Sequence, residues 1–181
     1  MKTPTILKHW FITVSTVTLG VLTAGTALAQ TQVTKLRVGV YDSRAVAVAY
    51  ANSTEFKEAM KAVEAEHQKA KAAKDEKRMK EIESQMQAKQ RRAHEQGFST
   101  GSVAAIMATV KDSLPAVAKQ AGVQVIVSKW ELNHHAAEVE IVDVTDQLVA
   151  RFHVSEKGLK WCKEIQQKPP LPLEQLGEHM D

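Results

Sequence analysis

Apolar residues in the middle of the chain recur at alternating steps of four and three positions. One such run begins at Phe56 and a second begins at Met79. A repeat of 3.5 residues with two apolar positions in seven is typical of the narrow seam of a coiled coil. The large apolar side chains of this seam are Phe56, Met60, Val63, Met79, Ile82 and Met86.

The two runs are separated by a stretch in which no apolar residue is larger than alanine. It lies between Ala70 and Met79 and is rich in charged residues. The pattern predicts two antiparallel helices joined near residues 73–76, which form a helical hairpin over 53–96 that projects into solvent. One uninterrupted helix is the alternative interpretation of the same residues, and helices with so thin a seam need further contacts to be stable.

Three short runs rich in β-branched residues predict strands on either side of the hairpin. They are KLRVGVYD (35–42), VQVIVSKW (123–130) and AEVEIVDV (137–144). The second run is apolar on both faces, which is typical of a central strand, whereas the third alternates as a half-buried strand does. We therefore predict an α+β fold, in which a small three-stranded sheet body carries the inserted, projecting antiparallel helical hairpin.

The stretch QGFSTGSV (96–103) separates the hairpin from a helix with a broad apolar stripe. We expect Gly97 to end the second hairpin helix in a left-handed conformation and Phe98 to act as an apolar plug. Ser99 or Thr100 is expected to cap the next helix. Pro115 is expected to kink that helix or to restart it.

These elements divide the chain into five segments. They are a signal peptide (1–29), a polar leader with the first strand and the start of the helical excursion (30–52), the helical hairpin (53–96), a packed helix with the second and third strands and a closing helix (97–153), and a C-terminal helix with a Pro-rich tail (154–181).

The first 29 residues have the pattern of a secretory signal. Lys2 and Lys8 precede a long apolar run that ends in the small-residue triplet Ala27-Leu28-Ala29. This pattern predicts cleavage before Gln30 and a periplasmic or secreted location in a bacterium. A membrane anchor is the alternative, but threonines and glycines interrupt the run, so we expect no stable membrane span after cleavage.

Removal of the signal changes the charge balance of the chain. It lowers the number of Lys and Arg residues from 24 to 22, against 21 Asp and Glu residues. The mature protein is then nearly neutral, which argues against nucleic acid as a partner. The single cysteine, Cys162, has no partner for an internal disulfide, so it is either buried beside Trp161 or open to an intermolecular bond.

Charged side chains follow the first and second predicted strands. Asp42 and Arg44 come after the first, and Lys129 and Trp130 come after the second. If these strands are parallel neighbours, the four residues meet at one sheet edge, where open parallel sheets bind ligands. Ser99 and Thr100 extend this candidate site, because amides at a new helix start suit an anion. The alternative is a structural ion pair around Asp42.

Motifs for cofactor or metal chemistry are absent from the sequence. There is no Gly-rich phosphate loop, nucleophile elbow or HExxH helix. His134 and His135, near Glu131 and Glu138, would point to opposite faces of a strand, and no third ligand has a fixed spacing. We therefore expect no cofactor and no metal, we name no catalytic residue, and the sequence favours a protein that is not an enzyme.

The order of signal peptide, strand, charged helical hairpin, VQVIVS-type strand and closing helix resembles the Skp/OmpH-like periplasmic chaperones over roughly residues 35–152. The chain departs from them in a shorter hairpin, in the QGFSTGSV break and in its extension past Phe152. It is more similar to a group of exported bacterial OmpH-like proteins of no established activity, which share versions of YDSRAVAVAYA, QGFSTGSV, VIVSKW and VDVTDQLVARF.

The resemblance implies an oligomer that binds unfolded outer-membrane proteins and implies no catalytic residue. From it we expect an exported homo-oligomer that acts by non-covalent binding, as a periplasmic chaperone or holdase. Its partners would be unfolded or membrane-associated envelope proteins, in transient contact with the six large apolar seam residues. The alternatives are a small-ligand-binding protein or enzyme that uses the strand-end residues, and a structural envelope protein.

Overall fold

The computed structural model describes residues 35–176. The predicted signal peptide with its cleavage point before Gln30, and the end of the Pro-rich tail, lie outside the described residues. In chain order the elements are β1 (Arg37–Tyr41), α1 (Ser43–Ala51), α2 (Thr54–Ala72), α3 (Glu76–Phe98), α4 (Ala104–Thr109), a 3₁₀ turn (Lys111–Ser113), α5 (Leu114–Ala121), β2 (Val125–Ser128), β3 (Glu140–Asp143), α6 (Thr145–Val149), α7 (Glu156–Gln166) and α8 (Leu173–Leu176).

The sheet is wholly parallel, with strand order β2-β1-β3. Val38 lies opposite Val125 of β2 and Ile141 of β3. The predicted α+β class is therefore wrong: helices form 62% of the described residues, and the strands are parallel rather than hairpin-connected. Parallel neighbours need long crossover connections, and the helical excursion after β1 supplies the first of them.

The central strand is β1. The apolar run of the second strand had predicted that this second strand would be central, and that prediction is wrong. Val125 of β2 is 47% exposed, as befits an edge. Gly39 of β1 lies so close to both neighbours that an added Cβ would come within 3.1 Å of Val123 Cγ2 and 3.3 Å of Val144 Cγ1. Apolar composition on both faces therefore did not identify the strand that is buried.

The middle of the chain forms two helices, α2 and α3, joined by a turn at residues 73–75. Ser53 Oγ accepts a hydrogen bond from Phe56 N at 3.1 Å and so caps α2. Asp75 Oδ1 accepts from Arg78 N at 3.0 Å and caps α3. Both helices are exposed over most of their length, and Ala70 is the one buried residue of α2.

The core surrounds α1, which is buried on nearly all sides. Ala45, Val46 and Ala49 have no exposed surface, and α1 packs against α3, α6 and α7. Alanine-rich composition suits this position, because small side chains allow neighbouring helices to approach closely. Within residues 35–176, no helix combines the length and the apolar character needed to cross a membrane.

The joint after the hairpin differs from its prediction. Helix α3 continues through Gly97 to Phe98, and among the described glycines only Gly122 has a positive φ. Phe98 is 45% exposed, so the prediction that it fills an apolar gap is wrong. Helix α4 begins at Ala104 with no side-chain cap, so neither Ser99 nor Thr100 caps it. Pro115 lies in the first turn of a separate helix, α5, after the 3₁₀ turn.

Hydrogen bonds to one carbonyl explain why Gly97 needs no left-handed conformation. The Glu95 carbonyl accepts from both Ser99 N, at 3.2 Å, and Gly101 N, at 3.1 Å. Gln96 Nε2 also donates to the Ser102 carbonyl at 2.6 Å. The chain therefore folds back over the end of α3. The essential glycine is Gly101, because a Cβ there would meet the Glu95 backbone at 2.9 Å.

Cys162 is buried in α7 with 1% of its surface exposed, whereas the neighbouring Trp161 is 42% exposed. Burial raises the pKa of the Cys162 thiol to about 11. We expect a thiol reagent at about pH 8 to react with the folded protein about 100-fold more slowly than with the unfolded chain, because the reactive species is the thiolate. Labelling with and without urea measures this, and equal rates would contradict the burial of Cys162.

Candidate functional site

An open groove of about 780 Å³ lies between α2 and α3. Its apolar lining comes from both helices, so the groove exists only because the hairpin closes. Five of the six predicted client-binding residues line it, and Met79 does not: they are Phe56, Met60, Val63, Ile82 and Met86. Of these residues, Ile82 is 2% exposed, whereas Met86 is 37% exposed.

The charged residues that line the groove have mixed signs. They are Lys57, Lys61, Glu64 and Glu83, with His67 beside them. His67 Nε2 lies 3.3 Å from Glu83 Oε1 across the two helices. Because the two lysines and the two glutamates balance, the groove attracts no ligand of large net charge, and its apolar lining is its main binding feature.

The base of the hairpin is held to the body by aromatic contacts. The rings of Tyr50 and Phe56 meet edge to face with centroids 5.4 Å apart, and Tyr50 also meets Phe152 at 6.2 Å. Ser53 forms an isolated antiparallel bridge with Val154. Phe56 therefore belongs both to the groove and to the anchor, and a change at Phe56 affects both.

The structure brings together the four strand-end residues that the sequence singled out. Asp42 accepts from Arg44 Nε at 3.1 Å and from Arg44 Nη2 at 2.8 Å. Lys129 Nζ lies 2.8 Å from Asp42 Oδ2, and Trp130 Nε1 donates to Asp42 Oδ1 at 3.3 Å. The Arg44 guanidinium and the Lys129 ammonium also lie over the Trp130 ring, 4.8 Å and 4.5 Å from its centroid.

The charge cluster of Asp42, Arg44, Lys129 and Trp130 has a buried centre. Asp42 and Arg44 have no exposed surface, and Asp42 Oδ1 also caps α1 by accepting from Arg44 N at 3.0 Å. Arg44 Nη1 has no hydrogen-bond partner among the described residues. The cluster therefore has the features of a structural ion pair that ties α1 to the end of β2.

The charge cluster makes stability depend on pH. Burial alone would raise the pKa of Asp42, but hydrogen bonds and charges from Arg44 and Lys129 outweigh burial and lower that pKa below its ordinary value of 3.8. The stabilisation is then present above the unfolded pKa and is lost as the pH falls through the folded one.

We expect the free energy of unfolding to fall as the pH is lowered from about 5 through the ordinary pKa of 3.8 and below it, and to fall less in Asp42→Asn, which has no carboxyl to protonate. Urea unfolding at several pH values measures both slopes. Equal slopes in the two proteins would show that other carboxyl groups control acid stability.

A cavity of about 240 Å³ lies at the carboxyl ends of β1 and β2. Thr100 lines it, whereas Ser99 is buried with 2% exposure and does not. None of the charge-cluster residues lines it. The residues that do are Tyr41, Ser43, Thr100, Gly101, Ser102, Val103, Ala104, Met107, Leu114, Ile126, Ser128 and Glu131.

Alternation along the chain separates the cavity from the charge cluster. Tyr41 and Ser43 face the cavity, and the intervening Asp42 belongs to the cluster. Ser128 lines the cavity, and the next residue, Lys129, joins the cluster. Successive strand residues point to opposite faces, and of the cavity residues Tyr41, Ile126 and Ser128 lie in strands. That rule could have placed Tyr41 and Ser128 on one face, but it gave no signal for Ser43, Thr100 and Ser102, which lie outside the strands.

The adjacent histidines lie in the connection between β2 and β3. His134 and His135 are both exposed. Within the described part of the chain, no three His, Cys, Asp or Glu side chains are grouped so that they could hold a metal ion.

Comparison of the chain with models of protein families, with curated proteins and with solved structures finds no match. Function is therefore inferred from the geometry of this chain.

Proposed function

We propose that this protein binds apolar segments of unfolded envelope proteins in the hairpin groove and so acts as an exported holdase. The observation that carries the proposal is that large apolar seam residues line one open groove, in which Phe56, Met60, Val63 and Met86 keep exposed surface although Ile82 is buried between the helices. Binding is non-covalent and uses no catalytic residue.

The dimensions of the groove suit a short polypeptide segment. Its α2 wall extends from Phe56 to Gln68, which corresponds to about 18 Å at 1.5 Å per helical residue. A strand rises about 3.3 Å per residue, so roughly five extended residues fit along it. About three helical turns of a client would also fit.

The side chains of the groove favour a broad range of apolar partners. Met60 and Met86 are unbranched and flexible, so they adapt to partners of different shape. The mixed charges of the lining oppose a client segment of high net charge. Apolar segments of outer-membrane proteins, which alternate apolar and polar residues, have the required chemistry.

We also propose that copies of the chain associate through the second, partly exposed face of the sheet. Gly39 and Tyr41 face the helical core, with Ile126 and Val142 beside them. The opposite face carries Val38, Val40, Val125, Val127 and Ile141.

That second face is only partly covered. Val125 at its edge is 47% exposed and Leu36, just before β1, is 46% exposed, whereas the central Val38 and Val40 are each 8% exposed. Parallel sheets are normally covered on both faces. A second copy of the chain would cover the exposed part of this face.

Dilution of a urea-unfolded outer-membrane protein into buffer, with increasing amounts of this protein, tests the proposal. We expect aggregation measured by light scattering to fall until the two proteins are near equimolar, without ATP. Absence of any suppression would contradict the holdase function. Mass measurement of the protein alone tests association, and a monomeric mass would contradict the sheet-face contact without affecting the groove.

A further inference from the structure

The cavity at the ends of β1 and β2 is separate from the hairpin groove and is not needed for holdase activity. Its position favours ligand binding, because open parallel sheets bind ligands at the carboxyl ends of their strands. Its volume of about 240 Å³ lies below the roughly 300–1,000 Å³ of sites for drug-sized ligands. A ligand for this cavity is therefore small.

The cavity has an apolar part and a polar part. Met107 of α4, Leu114 of α5 and Ile126 of β2 supply aliphatic surface. Hydroxyl groups of Ser43, Thr100, Ser102 and Ser128 supply hydrogen-bonding atoms. A ligand that matches both parts has a short apolar body and one polar head.

Ser43 contributes a buried hydroxyl group to the polar part of the cavity. Its residue is 3% exposed, and its Oγ has no hydrogen-bond partner among the described residues. Buried hydroxyl groups in folded proteins are nearly always hydrogen-bonded, so this one in a cavity wall is suited to bond water or a polar ligand atom. Ser43 is also the first residue of α1, directly after the capping Asp42.

The charge of the cavity lining indicates the charge that the polar head of the ligand carries. Glu131 is the one charged side chain among the described residues that line the cavity. Glu131 is itself exposed at the cavity opening to solvent, and burial, and then the charge of Glu131, raise the pKa of the Tyr41 phenol. The nearest cations, Arg44 and Lys129, are paired with Asp42 in the charge cluster.

We propose that this cavity binds a small organic cation with a primary ammonium group on a short aliphatic body. The ammonium donates hydrogen bonds to the Glu131 carboxylate and to hydroxyl oxygens of the cavity lining, with the buried Ser43 Oγ among them. The aliphatic body packs on Met107, Leu114 and Ile126. An ammonium group has three donors and no acceptor, which suits a lining of hydroxyl oxygens and one carboxylate.

Three probes of nearly equal size distinguish the head groups: butylammonium, 1-butanol and butyrate. Binding to the full chain is measured by calorimetry or by ligand-observed NMR. We expect butylammonium to bind at least about tenfold more tightly than 1-butanol, because its bond to a carboxylate is charge-assisted, and we expect butyrate to bind most weakly. Equal binding of butyrate and butylammonium, or no binding of any probe, would overturn the proposal.

Two variants locate the interaction. Glu131→Gln is expected to remove the preference for butylammonium over 1-butanol, with at least about a tenfold loss of butylammonium affinity. Glu138→Gln is the matched control, since it removes the same charge from the same connection at an exposed residue that does not line the cavity. An equal loss in both variants would mean that the cation responds to general surface charge, and the cavity site would be rejected.

Discussion

Replacement of Asp42 with asparagine is expected to lower the free energy of unfolding by about 3–5 kcal/mol. Asparagine keeps the shape of the side chain and can still accept a hydrogen bond from Arg44 N. It removes the negative charge, however, and leaves the fully buried Arg44 guanidinium without a counterion. Removal of one partner from a buried pair is far more costly than removal of the whole pair, because the remaining charge stays out of water.

Two further variants show whether the buried guanidinium is the cause. Lys129→Met removes the partly exposed cation, whose side chain is 30% exposed, and leaves Asp42 paired with Arg44. We expect a loss of about 1 kcal/mol or less. Asp112→Asn, at an exposed residue of the 3₁₀ turn, should change stability by less than about 0.5 kcal/mol. Denaturant unfolding followed by circular dichroism measures all three, and a loss below about 1 kcal/mol in Asp42→Asn would show that water screens the cluster.

The double substitution Met60→Asp with Met86→Asp is expected to abolish suppression of client aggregation. Both side chains line the groove, so the change puts two carboxylates where an apolar segment would dock. Burial of an unpaired carboxylate under a bound segment is strongly unfavourable. We expect at least about a tenfold increase in the amount of protein needed for half suppression, which corresponds to about 1.4 kcal/mol.

The matched control introduces the same two aspartates on the same helices outside the groove. Ala65→Asp with Ala88→Asp changes exposed positions of α2 and α3 that do not line it. Both double variants should have the helical content of the unchanged protein by circular dichroism. If the control loses suppression equally, net charge and not the groove governs binding. If the groove variant still suppresses aggregation at the original ratio, clients bind elsewhere.

The two proposed sites depend on the sequence in different ways. The groove follows from the seam of α2 and α3, because the residues that line it are neighbours in a local repeat. The cavity does not, because Tyr41, Thr100 and Ser128 belong to three distant segments. Local periodicity therefore pointed to the groove residues and gave no indication that they would stay open to solvent.

The joint between the hairpin and α4 shows how a tertiary contact replaces a local signal. Gly97 followed by hydroxyl residues is a common pattern for a left-handed helix end. Here the chain folds back, and the Glu95 carbonyl is satisfied by Ser99 N and Gly101 N. The next segment, from Thr100 to Ala104, then becomes a wall of the cavity.

The sequence by itself determined the local elements. The 3.5-residue seam indicated the helices of the hairpin, the β-branched runs indicated three strands, and Asp42 was recognised as the centre of a charged group. Each of these depends on residues close together in the chain, whose periodicity reports the local backbone geometry.

The tertiary structure alone decided strand order, parallel pairing and the division of the strand-end residues into two sites. The bond from Trp130 Nε1 to Asp42 joins residues 88 positions apart, and that from Asp42 N to Thr145 Oγ1 joins residues 103 apart. Local propensity is the same whichever strand lies in the centre. The choice depends on how α1 and its neighbouring helices bury their shared apolar surface, and no short window of sequence contains that information.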